Sequence, residues 1–185
     1  MYYVIYTSSG MENKTEDYIR RMIPERLYKN CFHPIRHSLK KFHGEWKDWY
    51  DTLIPGYIFL ESDDIEGFYR EIRKNPRYLN ILGKSFTKDN LEFYELTEDE
   101  EEWLNKLMGA SPKSEKEESP VAEISEVGFN ENDEVIILSG PLKNLTGYIK
   151  KINLHKKLAE VEIEFMNRKT TMYLGIDFME KKEKT

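Results

Sequence analysis

An α+β fold, with an antiparallel sheet, packed helices, and a small C-terminal β barrel after a linker, is the architecture this sequence predicts. Three observations lead to it. In the N-terminal part, short segments with strand period alternate with segments of helical period. From Asp133 onward Val135, Ile137, Val161, Ile163 and Phe165 alternate with polar residues, as strands with one buried face do. Between the two, Gly109 to Pro120 carries prolines, serines and a run of charges without apolar periodicity, a composition that cannot offset its own ordering entropy. The expected division is a first domain over 1–109, a flexible linker over 110–123 and a barrel over 124–185.

Each element has a local cause. Residues 2–7 read as a strand, and Ser9 with Glu12 forms a capping box opening a helix. Met11, Tyr18, Ile19, Met22 and Ile23 give that helix its apolar face, and Pro24 marks its end. Strands fit 32–39, 44–50 and 56–61. A second helix starts at Asp63 or Asp64, buries Ile65, Phe68, Tyr69 and Ile72, and stops at Asn75-Pro76. After a short strand near 91–95, Thr97 and Glu100 form another capping box. That third helix buries Trp103, Leu104, Leu107 and Met108 and ends at Gly109. In the C-terminal part, Gly140-Pro141 forces a turn, while Gly147 permits a positive φ or a close backbone approach. A helical form of this part is disfavoured, because each glycine costs a helix about 1 kcal/mol and an interior proline about 3 kcal/mol.

Composition narrows the function classes. The 185 residues allow one medium domain or two small ones, and 34% charged residues imply a large solvated surface. No apolar run is long enough to span a bilayer and the start lacks a signal peptide, so no membrane association is expected. The single cysteine, Cys31, excludes an internal disulfide and fits a reducing, cytoplasmic setting. The net charge of −6 is uneven: residues 1–110 balance to −4, 111–132 to −4, and 133–185 to +2. Any nucleic-acid contact should therefore be confined to the C-terminal part and be selective. No phosphate loop, nucleophile triad or paired carboxylates in an apolar setting stand out, which argues against an enzyme.

Three constellations could carry function. Cys31, His33, His37 and His43 lack paired metal-ligand spacing and read as strand-surface residues, so no metal or cofactor is expected. Tyr2, Tyr6, Ile54, Tyr57 and Tyr78 form either sheet core or an apolar patch that docks a partner's helix pair. Lys143, Asn144, Lys150, Lys151, His155, Lys156, Lys157, Asn167, Arg168 and Lys169 are either a solvated barrel surface or a nucleic-acid face. In the second reading Lys156-Lys157 and Arg168-Lys169 occupy loops that project from one edge of the barrel. The cations meet phosphates, while Asn144, His155 and Asn167 read base edges or backbone.

The glycine-punctuated run from Asp133 to Lys181 resembles the KOW motif. The opening Tyr2-Tyr3-Val4, Ile54-Pro55-Gly56-Tyr57 and Pro76-Arg77 resemble the N-terminal domain of the NusG family, so the resemblance covers almost the whole chain. It implies that the N-terminal domain grips the clamp helices of the RNA polymerase β′ subunit. The positions matching that contact are Tyr2, Ile54 and Tyr57, where general family members often carry Trp at the first and Phe at the second.

Finer features resemble the LoaP group of NusG paralogues, which are operon-specific antiterminators. Leu142-Lys143-Asn144-Leu145 replaces the apolar loop that general factors present to Rho or a ribosomal protein. The hairpin Lys40–Tyr50 and the acidic helix start after Leu96 also look specialised. The resemblance implies a monomer that stabilises the non-paused polymerase and recognises a nascent leader RNA hairpin through the KOW domain. A general elongation factor and a ribosome-associated KOW protein are the alternatives.

Overall fold

The computed structural model describes residues 1–74, 80, 81, 83–87, 90–108 and 119–178, and side-chain positions are given for those outside 75–93. In chain order the elements are β1 (Tyr2–Tyr6), α1 (Glu12–Met22), β2 (Asn30–Phe32), β3 (Ile35–Phe42), β4 (Glu45–Thr52), β5 (Tyr57–Glu61), α2 (Ile65–Ile72), β6 (Asn80–Ile81), β7 (Gly83–Thr87), β8 (Asn90–Phe93), α3 (Glu98–Met108), β9 (Val121–Ala122), β10 (Ser125–Phe129), β11 (Val135–Ile137), α4 (Pro141–Asn144), β12 (Ile149–Asn153), β13 (Leu158–Phe165) and β14 (Arg168–Phe178). The mixed α+β class is as expected. Two compact units are present. The first comprises Met1–Pro34, Ile54–Glu101 and Pro112–Pro120; the second comprises Ile35–Leu53, Glu102–Ser111 and Val121–Thr185.

In the first unit β1 is central in a sheet of order β2-β5-β1-β6. Its partner β5 runs antiparallel, with Tyr2 opposite Glu61 and Tyr6 opposite Tyr57. The apolar faces of α1 and α2 close over this sheet, so that Ile5, Ile19, Ile58, Leu60 and Phe68 form a fully buried core. Asp64 caps α2 by accepting from the Gly67 N–H at 2.8 Å. The Thr97/Glu100 box forms as expected: Glu100 Oε2 accepts from Thr97 N–H at 2.8 Å, and Thr97 Oγ1 accepts from Glu100 N–H at 3.3 Å.

The Ser9/Glu12 box does not form. Helix α1 starts at Glu12 after Met11, with no side-chain cap. The Glu12 carboxylate is buried and accepts instead from the Gly56 N–H at 2.7 Å, in the loop before β5. A tertiary partner with a buried donor outcompetes the local cap. Gly56 itself has φ +88°, and a Cβ there would sit 3.2 Å from the Thr7 carbonyl oxygen. Helix α1 ends where expected, because Ile23 precedes Pro24 and takes an extended conformation.

The expected strand over 32–39 is two strands interrupted at His33-Pro34, since proline removes a ladder donor. From Ile35 the chain forms one long hairpin, with Ile35 opposite Thr52 and Phe42 opposite Glu45. His43 (φ 49°) and Gly44 (φ 91°) make its turn, both left-handed as a two-residue hairpin requires. Strand β3 lies centrally in a sheet of order β4-β3-β9, paired parallel with β9.

A five-stranded sheet of order β11-β10-β14-β13-β12 completes the second unit. The alternation of its longest antiparallel pair buries Val161, Ile163 and Phe165 on one face, where the Trp103 ring of α3 meets Phe165 edge-on at 5.9 Å. Met166 and Asn167, both left-handed, form the two-residue turn between β13 and β14. After Gly140 the chain does more than turn, because Pro141 starts the short helix α4 at the position where its missing N–H costs nothing. Gly147 meets nothing within 4 Å and does not adopt positive φ, so the close approach expected there falls at Gly140 instead.

Candidate functional site

The aromatic set divides in two along β1. Tyr6 and Tyr57 are cross-strand partners whose rings meet edge-on at 6.0 Å, and Tyr6 is 42% exposed. Tyr2 lies four residues away, about 13 Å along the strand. Its ring meets Phe32 at 6.2 Å, and Phe32 stacks on Phe59. Burial, with Glu61 and Glu101 nearby, pushes the Tyr2 hydroxyl up to about 12. Of the two readings of this set, sheet core or exposed patch, Ile54 falls to the core. It is only 4% exposed, so the accessible part of the set is the Tyr6–Tyr57 pair with half-buried Tyr2. Tyr78 lies outside the described residues.

The basic set is also divided, and here the expectation of a single edge is overturned. In an antiparallel meander successive turns fall at opposite ends of the strand they share. His155, Lys156 and Lys157 belong to the turn before β13; Asn167 belongs to the turn after it, and Arg168 and Lys169 open β14 directly beyond. With 8 residues in β13, the two turns stand about 25 Å apart.

Local partners sort these cations further. Lys157 is committed: its Nζ bonds Asp177 at 2.6 Å and lies 4.9 Å from the Trp46 ring centroid. Lys150 and Lys169 reach the Glu162 carboxylate from neighbouring strands at 3.3 and 3.4 Å, and those two contacts hold it below the usual carboxylate range. Lys151, His155 and Lys156 are exposed; the Lys156 N–H donates to Asn153 Oδ1 at 2.9 Å, which fixes the turn. Exposed Lys143 and Asn144 lie on α4, anchored where the Leu142 N–H donates to Ser125 Oγ at 3.0 Å. Ser125 faces Ile176, and the Ile176 N–H donates to the Lys157 carbonyl, so α4 starts at the end of the sheet that carries Lys156. With Leu107, Met108, Leu138 and Pro141, Lys143 and Asn144 line a cleft of about 500 Å³.

The histidines correct another expectation. His33 is not on a strand surface: it is fully buried, its Nδ1 paired with Glu16 Oε1 and 3.3 Å from Ser119 Oγ. His37 stacks on Tyr50 at 4.4 Å between centroids, with Nδ1 2.6 Å from Glu123 and Nε2 2.8 Å from Asp48. Burial works against the charged ring, but the bonds to Glu123 and then Asp48 outweigh it and raise the His37 pKa above 6.5. A raised folded-state pKa means that the stabilisation is complete below the unfolded value and is lost as pH rises through the folded one. Thermal unfolding followed from pH 6 to 8.5 should therefore show a falling Tm that His37→Gln flattens. An unchanged pH profile in that variant would contradict the assignment.

The sequence marked residues 40–50 as specialised without naming any of them. In the structure Phe42, Trp46, Trp49 and Tyr50 all expose large apolar rings. Their alternation with Lys40, Lys41 and Lys47 was the available signal.

Comparison with known proteins places the chain in a family. The chain is 23% identical to the transcription termination/antitermination protein NusG of Halalkalibacterium halodurans over 185 residues, covering 97% of each chain. It is 21% identical to the protein of that name in Bacillus subtilis, again covering 97% of each. A solved structure titled "Domain interaction in Thermotoga maritima NusG" aligns over 94% of this chain and 92% of its own, at 22% identity and a TM-score of 0.48. No helix among the described residues is long and apolar enough to cross a membrane. The family profile described as "Transcription termination factor nusG" matches residues 1–102, more than half of the sequence, and the chain therefore belongs to the NusG family of transcription termination and antitermination factors.

Proposed function

We propose that this protein is an operon-specific antitermination factor of the cytoplasm, acting as a monomer. It docks on the β′ clamp helices of RNA polymerase through the N-terminal domain, 1–109, and recognises a nascent leader RNA hairpin through the C-terminal module, 124–185. Limited proteolysis should cut between those two stretches. The observation that carries the reading is the co-location of His155 and Lys156 with α4 at one end of the five-stranded sheet, within residues 133–185, which are net positive in a net-acidic chain. A surface of that size suits a folded RNA element recognised by shape and a few phosphates. Docking on polymerase would favour whichever of its states binds the factor better, here the non-paused one. The second turn, beside Arg168 and Lys169 at the start of β14, is too distant to touch the same few nucleotides.

Lys156→Glu tests this without disturbing the fold, because its side chain is exposed. Lys157→Glu would not, because it sets a second carboxylate against Asp177. For about three phosphate contacts, wild-type affinity should fall with salt at a log–log slope of very roughly −2 to −3. Gel-shift titration should show Lys156→Glu lowering that slope by about one, and His155→Ala reducing the preference for one hairpin. Equal binding of native and scrambled hairpins by the wild type would leave the general elongation factor as the better description.

A further inference from the structure

The cleft beside α4 combines apolar walls with two polar side chains that nothing nearby engages. Leu107 and Pro141 line it as buried residues, and Met108 and Leu138 as half-buried ones. Two of its other polar groups are already committed: Glu123 Oε2 is 2.6 Å from His37 Nδ1, and Ser139 Oγ donates to Glu126 at 2.8 Å. Lys143 and Asn144 differ. Both are exposed, and neither side chain has a hydrogen-bond or ion-pair partner among the described residues. At about 500 Å³, with mostly apolar walls and few free polar groups, the cleft suits one small ligand or one group of a larger one.

Its position says which group. Strand β10, to which α4 is anchored through Ser125, is separated from β13 by β14 alone. About 10 Å of sheet therefore lies between that anchor and the strand that follows the Lys156 turn. An RNA element held at Lys156 is within reach of the cleft. Selective proteins read RNA at unpaired bases, and an extruded base is held between apolar side chains with its edge on a polar group. Lys143 answers the flanking phosphate, which an apolar side chain of a protein partner would not need.

Asn144 decides which base. Its amide offers a donor and an acceptor side by side, the complement of adenine N7 and the adenine amino group. Guanine presents two acceptors at the same edge, so the Asn144 carbonyl would face O6. A purine also fills a cleft of this size better than a pyrimidine.

We propose that the cleft takes one unpaired adenine of the leader RNA hairpin, with Met108 and Leu138 against the ring, Asn144 on its edge and Lys143 on the adjoining phosphate. This rests on the RNA reading of the C-terminal module and adds to it a position where a base is read.

Full-length protein is titrated with the labelled native leader hairpin and with copies in which each unpaired adenine in turn is replaced by an abasic ribose. Anisotropy reports binding. One replacement should weaken wild-type binding about tenfold, and guanine at that position should do the same, as loss of one bidentate base contact does. This series uses unaltered protein, so it stands whether or not a variant folds. Asn144→Ala should weaken binding of the native hairpin about tenfold, accept guanine as well as adenine, and add little to the abasic loss. Lys156→Glu should lower affinity for every copy by one factor and leave the abasic penalty intact, so the two readings fail separately. Equal affinity for all abasic copies, as expected if a protein side chain fills the cleft, would overturn the proposal and leave hairpin recognition standing. So would an abasic penalty that Asn144→Ala leaves undiminished, or a leader hairpin with no unpaired adenine. No binding of the native hairpin would overturn both.

Discussion

Tyr57→Lys should abolish binding to isolated β′ clamp helices while leaving the N-terminal sheet folded. Tyr57 is half-buried opposite Tyr6, whose exposed ring it touches, so the pair presents apolar surface without forming the deep core. A lysine placed in a desolvated contact costs several kcal/mol when no anion answers it. Ile54 is unsuitable for the same experiment despite its match to the family contact. At 4% exposure, Ile54→Lys would force a charge into the fold and confuse lost binding with lost stability. Pull-down with the clamp helices, beside circular dichroism of the variant, makes the check. Retained binding by folded Tyr57→Lys would remove the Tyr6–Tyr57 pair from the interface.

Gly140→Ala should strongly destabilise the C-terminal module. Gly140 adopts φ 86° and ψ −176°, a region open essentially to glycine alone. An added Cβ would also fall 2.6 Å from Ser125 Cα, which is backbone and has no room to yield. Strain and collision together should cost about 3 kcal/mol or more. Gly147→Ala is the matched control, because nothing lies within 4 Å of its missing Cβ and its φ is not left-handed. It should be nearly neutral. Urea unfolding of both variants makes the comparison, and equal midpoints would contradict the account.

Local signals in the sequence were reliable where nothing distant competed with them. The Thr97/Glu100 box, the Pro24 stop and the alternation over Leu158–Phe165 all depend on neighbours along the chain, and all three appear as expected. Glu12 failed as a cap because a backbone donor forty-four residues away claimed its carboxylate. Likewise His33 could not be known to be buried, since its partners Glu16 and Ser119 come from remote segments. Strands β9 and β10 escaped notice because their short runs adjoin an acidic, turn-rich stretch with little periodicity. For the candidate site, residue types were legible but grouping was not. The meander separates two basic turns that look alike in sequence, and pairing with Asp177 or Glu162 decides which lysines are already engaged.

The central claim is that polymerase docking and RNA recognition act together on selected transcripts. Single-round transcription through an intrinsic terminator tests it most directly, on templates that carry either the native leader hairpin or a scrambled one. Wild-type protein should raise read-through on the native template only, and both Tyr57→Lys and Lys156→Glu should lose that gain. Equal read-through on the two templates, or full activity in Lys156→Glu, would contradict it.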